Sequence, residues 1–224
     1  MEAARITLNG VKLELLPEGA LYWPGRKLLA VADLHLEKAS FFARRGQFLP
    51  PYDSRATLDR LERLLARLPV EQVICLGDSF HDEQARERID GESALRLSDL
   101  TKSYDWIWIV GNHDPDPRGA WGGRIEEEFL QGALVFRHEA QRGRVAGEVS
   151  GHYHPKAAIK VRGRKMLFRA FLEDGKRMIL PAFGSLTGGL DALDPAYAPL
   201  FNNGFRVHLL GRKRVASLTA EALA

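Results

Sequence analysis

Three apolar runs leave this chain little freedom: Leu28–Val31 in KLLAVADLH, Val73–Leu76 in QVICLGDSFH, and Trp106–Val110 in DWIWIVGNHD. Each is apolar at consecutive positions, so both faces of the strand it forms must be covered. Each then breaks into a short cluster of Asp, His, Asn and Gly. Such polar groups cannot be threaded through the sheet interior without partners. They must therefore gather at the strand ends. The sequence between and before these runs predicts what covers them. DSRATLDRLERLLARLP reads as a helix, capped by Asp53 or Ser54, with Leu58, Leu61, Leu64, Leu65 and Leu68 on one face and Pro69 as its stop. DEQARERIDGESALRLSDLTK reads as mostly helical with a break near Gly91, and RITLNGVKLELL as a hairpin turning at Asn9–Gly10. Trp106 and Trp108 belong to the core.

From about residue 131 the pattern changes to short strands punctuated by glycine: GALVFRH, RVAGEVSGHYH, AAIKVRG, KMLFRAFLEDGKRMILPAF and FRVHLLGRKRVASL, with Asp174–Gly175 as a hairpin turn. Strands alternating with helices, followed by strands alone, predict two mixed sheets packed face to face with helices outside: an α/β, four-layer αββα sandwich. The 224 residues, with no repeat or low-complexity linker, are expected to form a single domain spanning residues 1–224. The composition, 45% hydrophobic and 27% charged, is that of a folded globular chain. The start MEAARITLNG lacks the apolar core of a secretion signal, and no apolar stretch approaches the roughly 20 residues of a membrane helix. A single cysteine, Cys75, sits in a strand as a buried thiol. The expectation is a cytoplasmic protein with no membrane partner. The formal charge of +3 is compatible with a polyanionic substrate but does not require one.

The chemistry lies in the strand ends. Asp33 and His35 stand in VADLHLE, Asp78 and His81 in LGDSFHD, Asn112, His113 and Asp114 in GNHD, His138 in FRHE, and His152 and His154 in GHYH. Six of the seven histidines fall at these five points, and only His208 stands apart. In an extended D-x-H or H-x-H, alternate side chains share a side. Asp33 with His35, and His152 with His154, are thus each expected to grip one ion. Mixed Asp, His and Asn donors without thiolate suit manganese, iron, zinc or nickel better than a structural zinc knot. Gly77, Gly111 and Gly151 allow sharp turns and leave room for a ligand.

DLH, GDSFH, GNHD, a lone mid-chain His and GHYH resemble the five-block signature of the calcineurin-like metallophosphoesterases, over residues 31–154. FFARRGQFLPPYDSRATL, QVICLGDSFHD, DWIWIVGNHDP, LVFRHE and LPAFGSLTGGLDALDPAYAPLF are further similar to the bacterial ligase-associated DNA-damage-response phosphodiesterases, which extends the likeness over nearly the whole chain. The resemblance implies two divalent ions, manganese first among the candidates. Asp33, His35 and His154 would hold one, Asn112, His138 and His152 the other, and Asp78 would bridge them. The pair would activate water for in-line attack on phosphorus, with His113 as general acid and Asp114 orienting it by a hydrogen bond. For His81 the resemblance implies contact with the scissile phosphate or support of His113; a purely structural role is the alternative. It also implies a DNA endonuclease acting in repair, in functional association with an ATP-dependent DNA ligase, a helicase and a second nuclease. The GDxxDRG block of protein phosphatases is missing, which argues against a phosphoprotein substrate.

Other readings stand beside these. The substrate could be a small phosphodiester such as a cyclic nucleotide or a pyrophosphate, although DEQARERIDGESALRLSDL is too charged to hold a lipid. A non-catalytic scaffold of the same fold would be expected to have lost ligands. In FFARRG, Arg44 and Arg45 could lie on phosphates with Phe41 or Phe42 stacking on a base, or the aromatics could be core and the arginines merely solvated. Arg142, Arg144, Arg162, Arg164 and Lys165 mark exposed hairpins that could form a basic rim. SLTGGLDALDP lacks the lysine of a phosphate-binding loop and is expected to line or brace the site.

Overall fold

The computed structural model describes residues 2–114, 121–143, 145–161 and 163–223. Pro115 and Asp116 of the GNHDPD stretch, and the rim candidates Arg144 and Arg162, lie outside the described residues.

The first sheet contains β1 (Ala4–Leu8), β2 (Val11–Leu15), β3 (Leu21–Trp23), β4 (Leu28–Val31), β5 (Gln72–Leu76), β6 (Asp105–Ile109) and β7 (Arg124–Glu126), in that spatial order. β1 to β4 are antiparallel neighbours, and β4 to β7 run parallel. The second sheet is built from β8 (Glu128–Gln131), β9 (Leu134–Arg137), β10 (Glu148–Ser150), β11 (Lys156–Val161), β12 (Arg164–Glu173), β13 (Arg177–Ile179), β14 (Arg206–Leu210) and β15 (Val215–Thr219). Its order is β15-β14-β12-β13-β10-β9-β8, with β11 paired to β12 alone, and only β9, β10 and β13 run parallel. Both sheets are mixed, as the sequence pattern predicts.

The period of two explains why the three apolar runs are apolar throughout. Leu29, Val31, Val73, Cys75, Trp106 and Trp108 face the helices, where they meet Leu58, Leu61, Leu64 and Leu97. Leu28, Ala30, Ile74, Leu76, Ile107 and Ile109 face the other sheet and pack on Phe136, Val149, Phe171 and Met178. The helices are α1 (Lys38–Ala43), α2 (Asp53–Arg67), α3 (Ala85–Arg88) and α4 (Gly91–Ser103). Among the described residues, α-helix occurs only in this stretch between β4 and β6. The outer face of the second sheet is instead covered by the 3-10 turns Pro195–Tyr197 and Ala220–Leu223, with Tyr197, Leu200, Phe201 and Ala220 buried against Ala170, Leu172 and Val207. The fourth layer is therefore thinner than the others. None of the described helices is long and apolar enough to cross a membrane.

One local expectation changes, the cap of α2, while the expected break near Gly91 is present. Asp53 and Ser54 do not cap α2; the cap position is Tyr52, in a left-handed conformation with φ 71°. Their side chains tie down the start of α1 instead. Asp53 Oδ2 accepts from Ala39 N at 3.0 Å, and Ser54 Oγ donates to Glu37 Oε1 at 2.7 Å while accepting from Glu37 N at 2.9 Å. The break before α4 falls at Ile89–Asp90, and Asp90 is the cap, accepting from Ser93 N at 3.1 Å.

Candidate metal centre

The parallel strands β4, β5, β6, β9 and β10 all end on one side of the molecule, the usual place for a site in an open α/β sheet. The sheets are joined there: Ala32 pairs with Ala182, and Phe183 N donates to Ala32 O at 2.7 Å. Into this corner the chain brings two groups of potential metal donors, Asp33 with His35 and His154, and Asp78 with His138 and His152. In the first, His154 Nε2 lies 3.3 Å from both Asp33 Oδ1 and His35 Nε2. In the second, His138 Nε2 lies 3.5 Å from Asp78 Oδ1 and 3.1 Å from His152 Nδ1. Asn112 Nδ2 stands 3.4 Å from His152 Nδ1, beside the second group. Asp78 touches both groups, since its Oδ2 is 3.8 Å from His35 Nε2.

His152 and His154, one residue apart, thus go to different groups. The alternation argument fails here because these segments are not strand. β4 stops at Val31, and Asp33, His35, Asp78, His152 and His154 have φ of 53°, 43°, 45°, 71° and 48°. Left-handed backbone costs an L-residue about 1–2 kcal/mol, and such strain collects at functional sites. Here it folds two short stretches so that each aims its donors inward. The backbone of one loop also holds the side chain of another: His152 N donates to Asp33 Oδ2 at 3.0 Å, and His113 N to Asp78 Oδ1 at 3.0 Å.

The donor chemistry fits a cation. His138 Nδ1 faces Leu76 O at 2.9 Å and so carries the proton, which leaves Nε2 as a bare lone pair opposite the Asp78 carboxylate. Two facing acceptors repel unless a positive charge lies between them, and a ligand histidine tied by its other nitrogen to a carbonyl is the common metal-site arrangement. Burial, reinforced by His154 and Lys38, lowers the pKa of His35 to about 2, and burial with His138 lowers that of His152. Both rings are therefore neutral near pH 7, with nitrogen lone pairs free to donate.

Gly111 shows how tightly the corner is built. A Cβ there would collide with the backbone nitrogen of Asp78 and its Oδ1. Gly111→Ala is expected to cost about 1–3 kcal/mol through overpacking, read as a shift in the urea unfolding midpoint, and to displace Asp78. An unchanged midpoint together with unchanged metal content would contradict this.

His113 differs from the donors. Its side chain is 48% exposed, its Nε2 is 4.0 Å from Asp78 Oδ2, and its Nδ1 donates to His81 O at 3.0 Å, which turns Nε2 toward the open side. Asp114 does not reach it. That carboxylate is buried in the loop after β5, where Oδ2 accepts from Phe80 N at 3.0 Å, and burial raises its pKa. The orienting group is the His81 carbonyl, on a chain segment that Asp114 shapes. The His81 ring is 8% exposed, stacks on His113 at 5.4 Å between centroids, and meets Phe41 edge-on at 4.6 Å. Burial, with Lys38, lowers its pKa to about 4. This geometry favours support of His113 over contact with substrate. Phe41 and Phe42 wall in His81 and lie outside the main core. Arg44 and Arg45 are exposed, with Arg45 Cζ 3.6 Å from the Phe41 ring centroid.

SLTGGLDALDP braces the centre. Lys156 Nζ donates to its Thr187 O at 3.2 Å and its Leu190 N to Tyr153 O at 3.3 Å, while Gly184, the residue before it, donates its N–H to Asp33 O at 3.1 Å. His208 lies elsewhere, held by Ser217 Oγ at 2.7 Å and Glu173 Oε1 at 3.2 Å. Glu37 and Lys38 were not singled out by the sequence. Glu37 is left-handed and buried, anchoring α1 through Ser40 and Ser54, and Lys38 follows it beside His35 and His81. Nothing in LEKAS distinguishes them, because their partners are distant in sequence.

The family model of the calcineurin-like phosphoesterases matches residues 26–156. Among solved structures, the nuclease MPE of Pseudomonas putida is 33% identical, with a TM-score of 0.75, over 97% of this chain and 100% of that one. A conserved uncharacterized protein of Streptococcus pneumoniae TIGR4, a predicted phosphoesterase, is 12% identical with a TM-score of 0.34, over 86% of this chain and 96% of that one. No curated protein matches the chain significantly.

Proposed function

Since the chain belongs to the calcineurin-like phosphoesterases and is a metal-dependent phosphoester hydrolase, we propose that its substrate is a phosphodiester, and specifically nucleic acid. One observation carries this reading: two groups of Asp and His donors share Asp78, with the half-exposed His113 beside them. Asp33, His35 and His154 would hold one divalent ion, and His138, His152 and Asn112 the other, with Asp78 common to both. A divalent pair supplies Lewis acidity to a phosphoryl oxygen and lowers the pKa of water.

The chain's own residues do the rest. Asp78 fixes the spacing between the two groups of donors and holds the backbone of His113. His113, with Nδ1 committed to the His81 carbonyl, presents Nε2 to the leaving oxygen and delivers a proton there. The ring stacked behind it and the Phe41 wall keep it from swinging away. The exposed Arg44 and Arg45 are suited to flanking phosphates. The 33% identity to a nuclease over nearly the full length supports a nucleic-acid substrate. The likeness of residues 41–58 and 180–201 to ligase-associated enzymes supports DNA, and a repair setting shared with an ATP-dependent ligase, a helicase and a second nuclease. Manganese is the proposed metal, as the resemblance to the ligase-associated enzymes implies; the Asp, His and Asn donors, without thiolate, suit iron, zinc or nickel as well.

The test is hydrolysis of bis-p-nitrophenyl phosphate beside the monoester, with Mn, Zn, Mg or EDTA, followed by a DNA oligonucleotide. Manganese-dependent preference for the diester, abolished by EDTA, together with cleavage of the oligonucleotide, is expected. Preference for the monoester would overturn the nuclease reading in favour of a small-molecule phosphatase. No turnover by folded protein with any of these metals would overturn catalysis itself.

A further inference from the structure

β11 and β12 form a two-stranded arm. β12 spans ten residues, but only Ala170–Glu173 pair with β14 and only Leu172 and Glu173 with β13, so Arg164–Arg169 are bonded to β11 alone. Six residues at about 3.4 Å each give the arm roughly 20 Å. Its register sets Lys156 opposite Arg169 and Lys160 opposite Lys165. These four cations share one face, because they alternate with Ala157, Ile159, Met166 and Phe168 on the other. That other face is spoken for at its base, where Ala157, Ile159 and Phe168 pack into the outer core.

Like charges directly opposite one another across strands are destabilising. Arg169 resolves its own by donating to Ala182 O at 2.8 Å and Glu18 O at 3.2 Å, and Lys156 by donating to Thr187 O. Lys160 and Lys165 are exposed, and among the described residues neither has an ion-pair partner. Arg164, opposite Val161, falls on the other face and is not part of this row. The inner end of the row begins two residues after His154. Lys156 stands near Lys38, whose pKa falls through burial and, further, through Lys156, while Asp53 opposes it. Lys38 in turn lies beside His35 and His81. A line of positive charge thus leads from the metal centre, through Lys38 and Lys156, to Lys160 and Lys165 on the arm.

We propose that this face of the arm is a rail for the phosphate backbone of a nucleic-acid strand on one side of the scissile phosphate. The proposal rests on the nucleic-acid reading of the metal centre and adds the surface that holds the chain away from it. A repeating anion is the occupant that a row of unpaired lysines fits, since it meets several of them at once and releases its counterions. The exposed Leu167, opposite Ala158, lies on the same face between the Lys160–Lys165 pair and the Lys156–Arg169 pair and offers apolar contact to a sugar or base.

The experiment compares wild type with the double variant Lys160→Glu/Lys165→Glu in manganese. Hydrolysis of bis-p-nitrophenyl phosphate, which is too small to reach the arm, is expected to be unchanged and reports that fold and metal centre are intact. Binding of a DNA oligonucleotide is expected to weaken at least tenfold, with the slope of log K against log salt falling by about 1.4–1.8 for two lost phosphate contacts. Unchanged affinity and slope, with a wild type that cleaves the oligonucleotide, would overturn the rail and leave the function standing. A wild type that hydrolyses the small diester but neither binds nor cleaves the oligonucleotide would overturn the nucleic-acid reading, and the rail with it. Unchanged oligonucleotide binding with lost binding of poly-glutamate would assign the arm to an acidic protein instead.

Discussion

Asp78→Asn is expected to abolish turnover, with a loss of at least about 10³-fold, and to leave the protein with less than its full complement of metal. The carboxylate is 3% exposed and lies within 3.8 Å of His35 and 3.5 Å of His138, so it is in contact with both groups of donors. An amide keeps the shape and can still accept from His113 N. It carries no charge, however, and two cations held about 3.5–4 Å apart repel strongly unless an anion lies between them. A thousandfold loss corresponds to about 4 kcal/mol of transition-state stabilisation. Metal analysis after gel filtration, together with turnover of bis-p-nitrophenyl phosphate, reads both effects. Two equivalents of metal and wild-type turnover in the asparagine variant would remove Asp78 from the role assigned to it.

His113→Ala is expected to separate the two properties that Asp78 joins. Its ring is not among the grouped donors, so metal content should stay at the wild-type value while turnover of a nucleotide diester falls by about 10²–10⁴, the usual contribution of a positioned proton donor. The leaving group supplies a second reading. p-Nitrophenolate departs readily without a proton, whereas a sugar alkoxide does not. The deficit on bis-p-nitrophenyl phosphate should therefore be much smaller than on DNA. An equal deficit on both substrates would mean that His113 binds the phosphate rather than protonating the leaving oxygen. A loss of metal would mean that it is a ligand.

The fold and the centre were readable to different depths, and the physical reason differs with each element. β4, β5 and β6 could be recognised because a strand buried on both faces must be apolar at every position, and that signal is local. The α2 face was equally plain from its leucines. The cap of α2 was misread because Asp53 and Ser54 do suit a cap. The competing demand, anchoring Ala39 and Glu37 across some fifteen residues of sequence, leaves no trace in DSRATL. The strand ends announced a metal centre by their residue types, yet not which donors would meet. His35 and His154 are 119 residues apart, and the loops that join them adopt left-handed backbone that no alternation rule covers. The familiar spacing of the five blocks supplied that partition, where local geometry pointed the other way for His152 and His154. Asp114 was assigned to its chain neighbour, whereas the backbone turns it into the loop after β5.

Five of the side chains that crowd this corner, Asp33, His35, Asp78, His152 and His154, sit on backbone that an L-residue adopts reluctantly. Without a cation, a facing pair such as His138 Nε2 and Asp78 Oδ1 adds repulsion to that strain. A bound ion reverses the balance: at a thousand times its dissociation constant, a ligand specific to the folded state adds about 4 kcal/mol to stability. The supply of metal therefore governs more than turnover. Limited proteolysis is accordingly expected to cut the loops after β4 and β10 faster when the metal is chelated than when it is in excess.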